Sequence, residues 1–187
     1  TAGLMLILSI TMLISGNFWA IIATEKLNVP AENLAWFPFV KSAIMLSFFF
    51  LVMPRLNQLP FKLPMIAGFI GFLAGQLLLI FAPEQGYGFL VASVFLEACG
   101  FAAVGPQVDR MLALTVNPQD RARIQSLLYV GVIMLTAPFG WIAGTLSSMD
   151  KSLPFVLNAT LFGIGAFLAY RAAQAAQRHI AAEAVAA

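Results

Sequence analysis

Six apolar blocks alternate along the chain with short breaks that are polar or carry proline. A spanning helix needs about 20 mostly apolar residues. That length fits Leu4–Thr24, Leu34–Met53, Leu63–Ala82, Phe89–Leu114, Ile124–Leu146 and Leu153–Tyr170. The blocks are closed by EKLNVPAEN, PRLNQLPFK, PEQGYG, TVNPQDRAR and SSMDKS. The sixth runs into RAAQAAQRHIAAEAVAA, residues 171–187, which reads as an Ala-rich, weakly amphipathic cytosolic helix. The expected fold is all-α: a polytopic membrane helical bundle of six transmembrane helices.

Composition supports this class. Of 187 residues, 61% are hydrophobic and only 10% charged, and the mean hydropathy is +0.91. A soluble domain carries about 25% charged residues, so the expected surroundings are a lipid bilayer. The net charge of +2 is spread between apolar blocks, with no basic, aromatic-laced patch for nucleic acid. A single cysteine, Cys99, excludes an internal disulfide and a cysteine-based metal cluster, and a single histidine, His179, excludes a His-rich metal site. No metal and no cofactor are therefore expected. The chain opens at Thr1 with no cationic n-region and no A-x-A site, so its first block reads as a span rather than a signal peptide. It is expected to be a processed chain or part of a longer protein.

Charge also sets orientation. Six spans put both termini on one side, together with the second-to-third and fourth-to-fifth loops. That side collects Arg55, Lys62, Arg110, Arg121, Arg123, Arg171 and Arg178, whereas the other has Lys26 and Lys151, with Lys41 inside a span. The positive-inside rule then places both termini in the cytoplasm. The opposite loops are acidic, with Glu25, Glu32, Glu84 and Asp150, and Trp36 and Tyr87 stand at the outer boundaries. GFLAG (Gly71 to Gly75) and GWIAG (Gly140 to Gly144) are small-xxx-small spacings that let helix backbones approach closely.

Six helices suit several other families, but their signature residues are missing. A rhomboid-type protease needs a Gly-x-Ser-Gly nucleophile and a membrane histidine. An aquaporin needs two Asn-Pro-Ala boxes, and a mitochondrial carrier needs a threefold Pro-x-acid-x-x-basic signature. The chain has none of these, and no P-loop, GxGxxG, HExxH or nucleophile elbow. It is not expected to be an enzyme.

Three segments carry a family resemblance. NPQDRARIQSLL (Asn117 to Leu128) is similar to the charged cytosolic segment before the eleventh helix of major facilitator superfamily transporters. YVGVIMLTAPFGWIAG (Tyr129 to Gly144) resembles that helix itself. PRLNQLPFK looks like a degenerate copy of the family's Gly-x-x-x-Asp-Arg-x-Gly-Arg loop, without its acid and glycines. With six spans and this length, the chain resembles the C-terminal half of such a transporter. The resemblance implies two inverted three-helix repeats, about 1–85 and 86–187. It implies that spans one, two, four and five face a cavity and that three and six face lipid. The implied partners are an N-terminal six-helix half of the same protein, a small-molecule substrate and a proton. The implied location is the cytoplasmic membrane, and drug-type antiport is the favoured subclass. A sugar carrier would show more Asn, Gln and Trp. An anion carrier would show a buried Arg, whereas the arginines here stand near cytosolic ends or in the tail.

Two charges stand deep inside spans, away from their ends: Glu97 in the fourth and Lys41 in the second. A charge at the bilayer centre costs about 2.5–3.5 kcal/mol on insertion scales, so such residues face a cavity, pair, or carry a proton. Their depths are alike, so an ion pair is geometrically possible. Glu97 is the candidate sensor of a proton or cationic substrate, with Lys41 as counter-charge. The competing reading is a static structural pair, or a Lys41 that snorkels outward. Asn17 is a candidate binding amide, with interhelical hydrogen bonding as its commoner use. Trp19 is a candidate cavity wall or a lipid contact. Gln125, Tyr129, Val132 and Thr136 share one helical face, as do Ser93, Glu97, Gly100 and Val104. Gln125 and Tyr129 suit gating as well as cavity lining. Gly105 and Pro106 should bend the fourth span near its cytosolic end, beside Asp109 and Arg110, which are gate candidates or solvated charges. Asn158 and Thr160 fit interhelical hydrogen bonding. The rivals to one half of a larger transporter are a half-transporter that works as a homodimer, and a non-transport scaffold or subunit with Glu97 in a structural ion pair.

Overall fold

In a computed structural model the chain is described over residues 1–56, 58, 62–83, 86–116 and 119–186. The side chains at 31, 62, 114, 115, 173 and 175–186 lie outside this description. So do parts of the PRLNQLPFK and NPQDRARIQSLL segments, Glu84, and the side chains of Arg178 and His179. Among the described residues the secondary structure is entirely helical. Six helices are long and apolar enough to cross a membrane.

The helices are α1 (Ala2–Ile21), continued by a π-helical turn (Ile22–Lys26), α2 (Ala31–Leu34), α3 (Trp36–Leu51), α4 (Met53–Leu56), α5 (Lys62–Ile80), α6 (Tyr87–Thr115), α7 (Arg121–Met149) and α8 (Leu153–Ala186). Lipid offers no partner for a bare N–H or C=O, so each segment satisfies its own backbone as a helix. Proline marks several starts. Pro38, Pro64 and Pro154 lie in the first turns of α3, α5 and α8, where a missing N–H breaks no ladder bond. Before α8, the Asp150 carboxylate accepts the Ser152 N–H at 2.7 Å. The second span is shifted by two residues from its apolar block, running over Glu32–Leu51, because α3 stops at Leu51. The fourth and fifth are longer, and α6 runs on through Pro106 as α7 does through Pro138. The tail continues α8 to Ala186 without a break.

Packing divides the bundle into a block and two outriggers. The block is α1, α5, α6 and α8: α5 lies along both α6 and α8, and α1 packs on α8. Its main core gathers Leu4, Met5, Ile7 and Leu8 of α1 with Met65, Phe69 and Phe72 of α5, Val104 and Val108 of α6, and Phe162 of α8. The rings of Phe72 and Phe162 stack face to face, with centroids 4.5 Å apart and planes 1° from parallel. The two outriggers are α3 on α6 and α7 on α1 and α8. No residue of α3 is buried, and α7 buries only Val132, Thr136, Ala143 and Ser147. The third and sixth spans, α5 and α8, carry substantial buried faces as well as any lipid-facing ones.

The α5–α6 crossing is close because small residues line it. A Cβ on Gly68 would strike Val104 and sit 3.1 Å from the Gly100 carbonyl oxygen. A Cβ on Gly75 would lie 3.2 Å from the Ser93 carbonyl oxygen. Without a hydrophobic drive between helices in lipid, such van der Waals contact is what holds them. The second small-residue pair behaves unevenly: Gly140 abuts Leu13 of α1, while Gly144 faces open space.

One end of the block is tied by polar contacts. Lys26 donates to the Ile80 carbonyl at the end of α5 (2.8 Å) and to Ser152 Oγ (3.0 Å). Lys151 pairs with Glu25 at 3.0 Å, and Tyr87 donates its hydroxyl to the Asn28 carbonyl at 3.3 Å.

Candidate functional site

Glu97 lies on the buried face of α6 with Ser93, Gly100 and Val104, the four positions that helical spacing aligns. At 1.5 Å per residue it lies about 15 Å along α6 from Tyr87. Lys41 sits midway along the span Glu32–Leu51. The two side chains meet: Lys41 Nζ donates to Glu97 Oε2 at 2.9 Å. The partners differ in shielding, with the Glu97 side chain 9% exposed and that of Lys41 31%. The carboxylate is thus held inside the bundle, while the ammonium borders the open side.

The pair forms the polar floor of two adjoining clefts. The larger, about 210 Å³, is bounded by Ser15, Gly16, Trp19, Phe37, Lys41 and Glu97. The smaller, about 90 Å³, adds Thr11, Met12 and the rings of Phe72, Phe101 and Phe162. Trp19 packs at 57° against Phe37 with centroids 5.0 Å apart. Apart from the pair and the α1 hydroxyls, the walls are apolar or glycine. Chemically, the site offers one anion and one cation that already satisfy each other, beside aromatic surface.

The other candidate residues lie in different places. Asn17 is exposed, and its amide donates to the Leu13 carbonyl of its own helix at 2.8 Å. Thr136 is buried on α7 beside Val132, and its hydroxyl has no partner among the described residues. Tyr129 is exposed and Gln125 half-buried. None of these borders the two clefts. Gly105 and Pro106 are half-buried within α6, and Asp109 and Arg110 are exposed one turn further on. Thr160 donates to the Leu157 carbonyl within its own helix.

Sequence reasoning did not identify the cluster behind the pair. Asn158 Nδ2 donates to Ser15 Oγ at 3.1 Å and to the Thr11 carbonyl at 3.3 Å. Gln76 Nε2 reaches the same Ser15 Oγ at 3.4 Å. The cluster joins α1, α5 and α8. Each residue was visible as a polar interruption of an apolar block, but their meeting depends on contacts across more than sixty positions.

Among the described residues no group of three or more His, Cys, Asp and Glu is placed to hold a metal ion. Compared with known proteins, the chain matches no family model, no curated protein and no solved structure.

Proposed function

We propose that the chain is the C-terminal six-helix half of a secondary transporter of the major facilitator type. It moves a small solute or hydrophobic drug-like compound by alternating access, coupled to protons. The observation that carries this reading is the Lys41–Glu97 pair, closed at 2.9 Å between two spans at the floor of an apolar, aromatic cleft. An acid kept in this setting is a candidate carrier of exchangeable charge. Protonation of Glu97 dissolves the pair and releases Lys41 and α3. Deprotonation draws them back, so occupancy of one proton is tied to the position of one helix.

Helix packing supports the repeat arrangement. Exchanging spans one to three with spans four to six maps α1·α7 onto α6·α3 and α1·α8 onto α6·α5, and leaves α5·α8 unchanged; the exception is α7·α8, whose counterpart α3·α5 makes no comparable contact. A third of the Lys41 side chain is exposed at mid-depth, where bare lipid would be costly. That suits a facing N-terminal half with a water-filled cavity between the two. The excess of basic residues on one side supports a reading in which both termini lie in the cytoplasm and the chain in the cytoplasmic membrane.

The deciding experiment is proton-coupled flux in proteoliposomes of the whole transporter, comparing wild type with Glu97→Gln. Loss of pH-dependent transport with binding retained is expected. Transport with unaltered pH dependence refutes the coupling role.

One observation favours a second reading. Because α3 buries no residue, the ion pair is a main tie to α6, which fits a non-transport scaffold with a structural pair. The charge-swapped protein Lys41→Glu/Glu97→Lys separates the two. A purely structural pair survives the exchange, whereas a proton carrier in the buried α6 position does not.

A further inference from the structure

The Lys41 ammonium is only partly used by the protein. One of its N–H donors goes to Glu97 Oε2 at 2.9 Å, and the others have no acceptor among the described residues. The side chain is more open than that of Glu97 and borders both clefts. Around it the larger cleft offers the Trp19–Phe37 ring pair, Pro38 and Val94. On the α1 side stands Gly16, where an added Cβ would meet nothing within 4 Å. Helix α1 thus withholds a side chain at a place where the cleft has room for one. Spare donors of a charged group beside apolar walls call for an acceptor.

We propose that this cleft binds a small organic anion, a monocarboxylate with a compact apolar body, and that each anion binds together with a proton. This rests on the transport reading, in which the ligand is the carried solute. The carboxylate accepts from the spare N–H donors of Lys41, and the body lies between the aromatic rings and Gly16. The larger cleft measures about 210 Å³, below the roughly 300–1,000 Å³ of drug-sized sites, so the body is one ring or a short branched chain. The buried arginine expected of an anion carrier is missing, but Lys41 supplies a cation midway along its span. An organic cation fits less well. The rings alone would attract it, but its charge must reach Glu97, the more shielded partner, past the Lys41 ammonium. Lys41 and Glu97 are the titratable groups bordering either cleft. With the anion in place, one ammonium faces two carboxylates. Like charges this close do not both stay ionised away from water, so Glu97 takes a proton from solution. The loaded site then holds an ammonium, a carboxylate and a carboxylic acid, and is neutral like the empty one. Anion and proton cross in the same direction.

The test is titration calorimetry of the whole transporter in lipid nanodiscs, with benzoate and isovalerate as anion probes and benzamidinium as a cation of similar shape. Anion binding without benzamidinium binding is expected. Repeating it in buffers of different ionisation enthalpy should show uptake of about one proton per anion. Glu97→Gln should bind the anion at least as tightly and without proton uptake. Gly16→Leu should weaken anion binding by about tenfold or more, with its thermal midpoint unchanged because the new side chain enters open space. Binding of benzamidinium in place of the anions overturns the proposal. So does binding of neither anion to the wild type, anion binding without proton uptake, or unchanged anion binding in Gly16→Leu. Flux is read separately. Anion binding with proton uptake but no flux refutes the transport reading and leaves the site standing. Proton-coupled flux of another solute without anion binding refutes the site and leaves the transport reading standing.

Discussion

The four-helix block and the outrigger α3 are made of similar residues and held in opposite ways. In the block, glycine and phenylalanine interlock: Gly68 and Gly75 meet α6, and Gly165 lies under the Phe69 ring. In α3, phenylalanines are just as plentiful, yet Phe39 and Phe50 point outward and none of its residues is buried. In water such a helix would come off or draw a partner. In lipid an exposed phenyl costs little, so attachment falls to shape and to polar contacts. The block is held by shape, and α3 by one ion pair and limited packing. Apolar content therefore says that a helix is in the membrane, but not how firmly it is fixed.

Four substitutions sharpen that contrast, each read as unfolding free energy in bicelles. Phe162→Ala removes a stacked ring from the block core and should cost the most, about 3–5 kcal/mol. Gly68→Ala forces a methyl against Val104 and the Gly100 carbonyl, for about 1–3 kcal/mol of overpacking. Lys41→Met strands the Glu97 carboxylate. The full penalty for breaking a buried pair is about 3–5 kcal/mol, reduced to about 1–2 because Lys41 is partly solvated. Its distinguishing mark is local: spin labels on α3 and α6 should move apart while labels within the block do not. A block that loosens as much as α3 would refute the division. Gly144→Ala, with open space around it, should stay within about 0.5 kcal/mol.

The sequence made the spans legible because a bilayer imposes one length on every crossing. It made the ion pair legible because only two charges stand deep inside those spans, away from their ends. Helix rotation was harder to read. Asn17 stood out as a candidate amide, but Ser15, two residues away and so about 200° around the helix, is the one that turns inward. Gly71 and Gly75 were visible as a motif, yet Gly68 and Gly165 make tighter contacts. A glycine shows only that close approach is possible. Which helix approaches is decided by pairings far apart in the chain, such as Gly68 with Gly100 and Gly165 with Phe69.

The π-helical turn at Ile22–Lys26 shows how much one residue can decide. Its wide loop is closed by Leu27 N–H to the Ile22 carbonyl, and it ends on Asn28 in a left-handed conformation with φ 53°. Each residue of an ordinary helix advances about 100° around the axis, so the surplus residue sets the azimuth of the Lys26 ammonium. Removing Thr24 would let α1 wind on regularly and would swing that ammonium away from the Ile80 carbonyl at the end of α5. A chain altered by one neutral residue would then lose the rivet that fastens this end of the bundle.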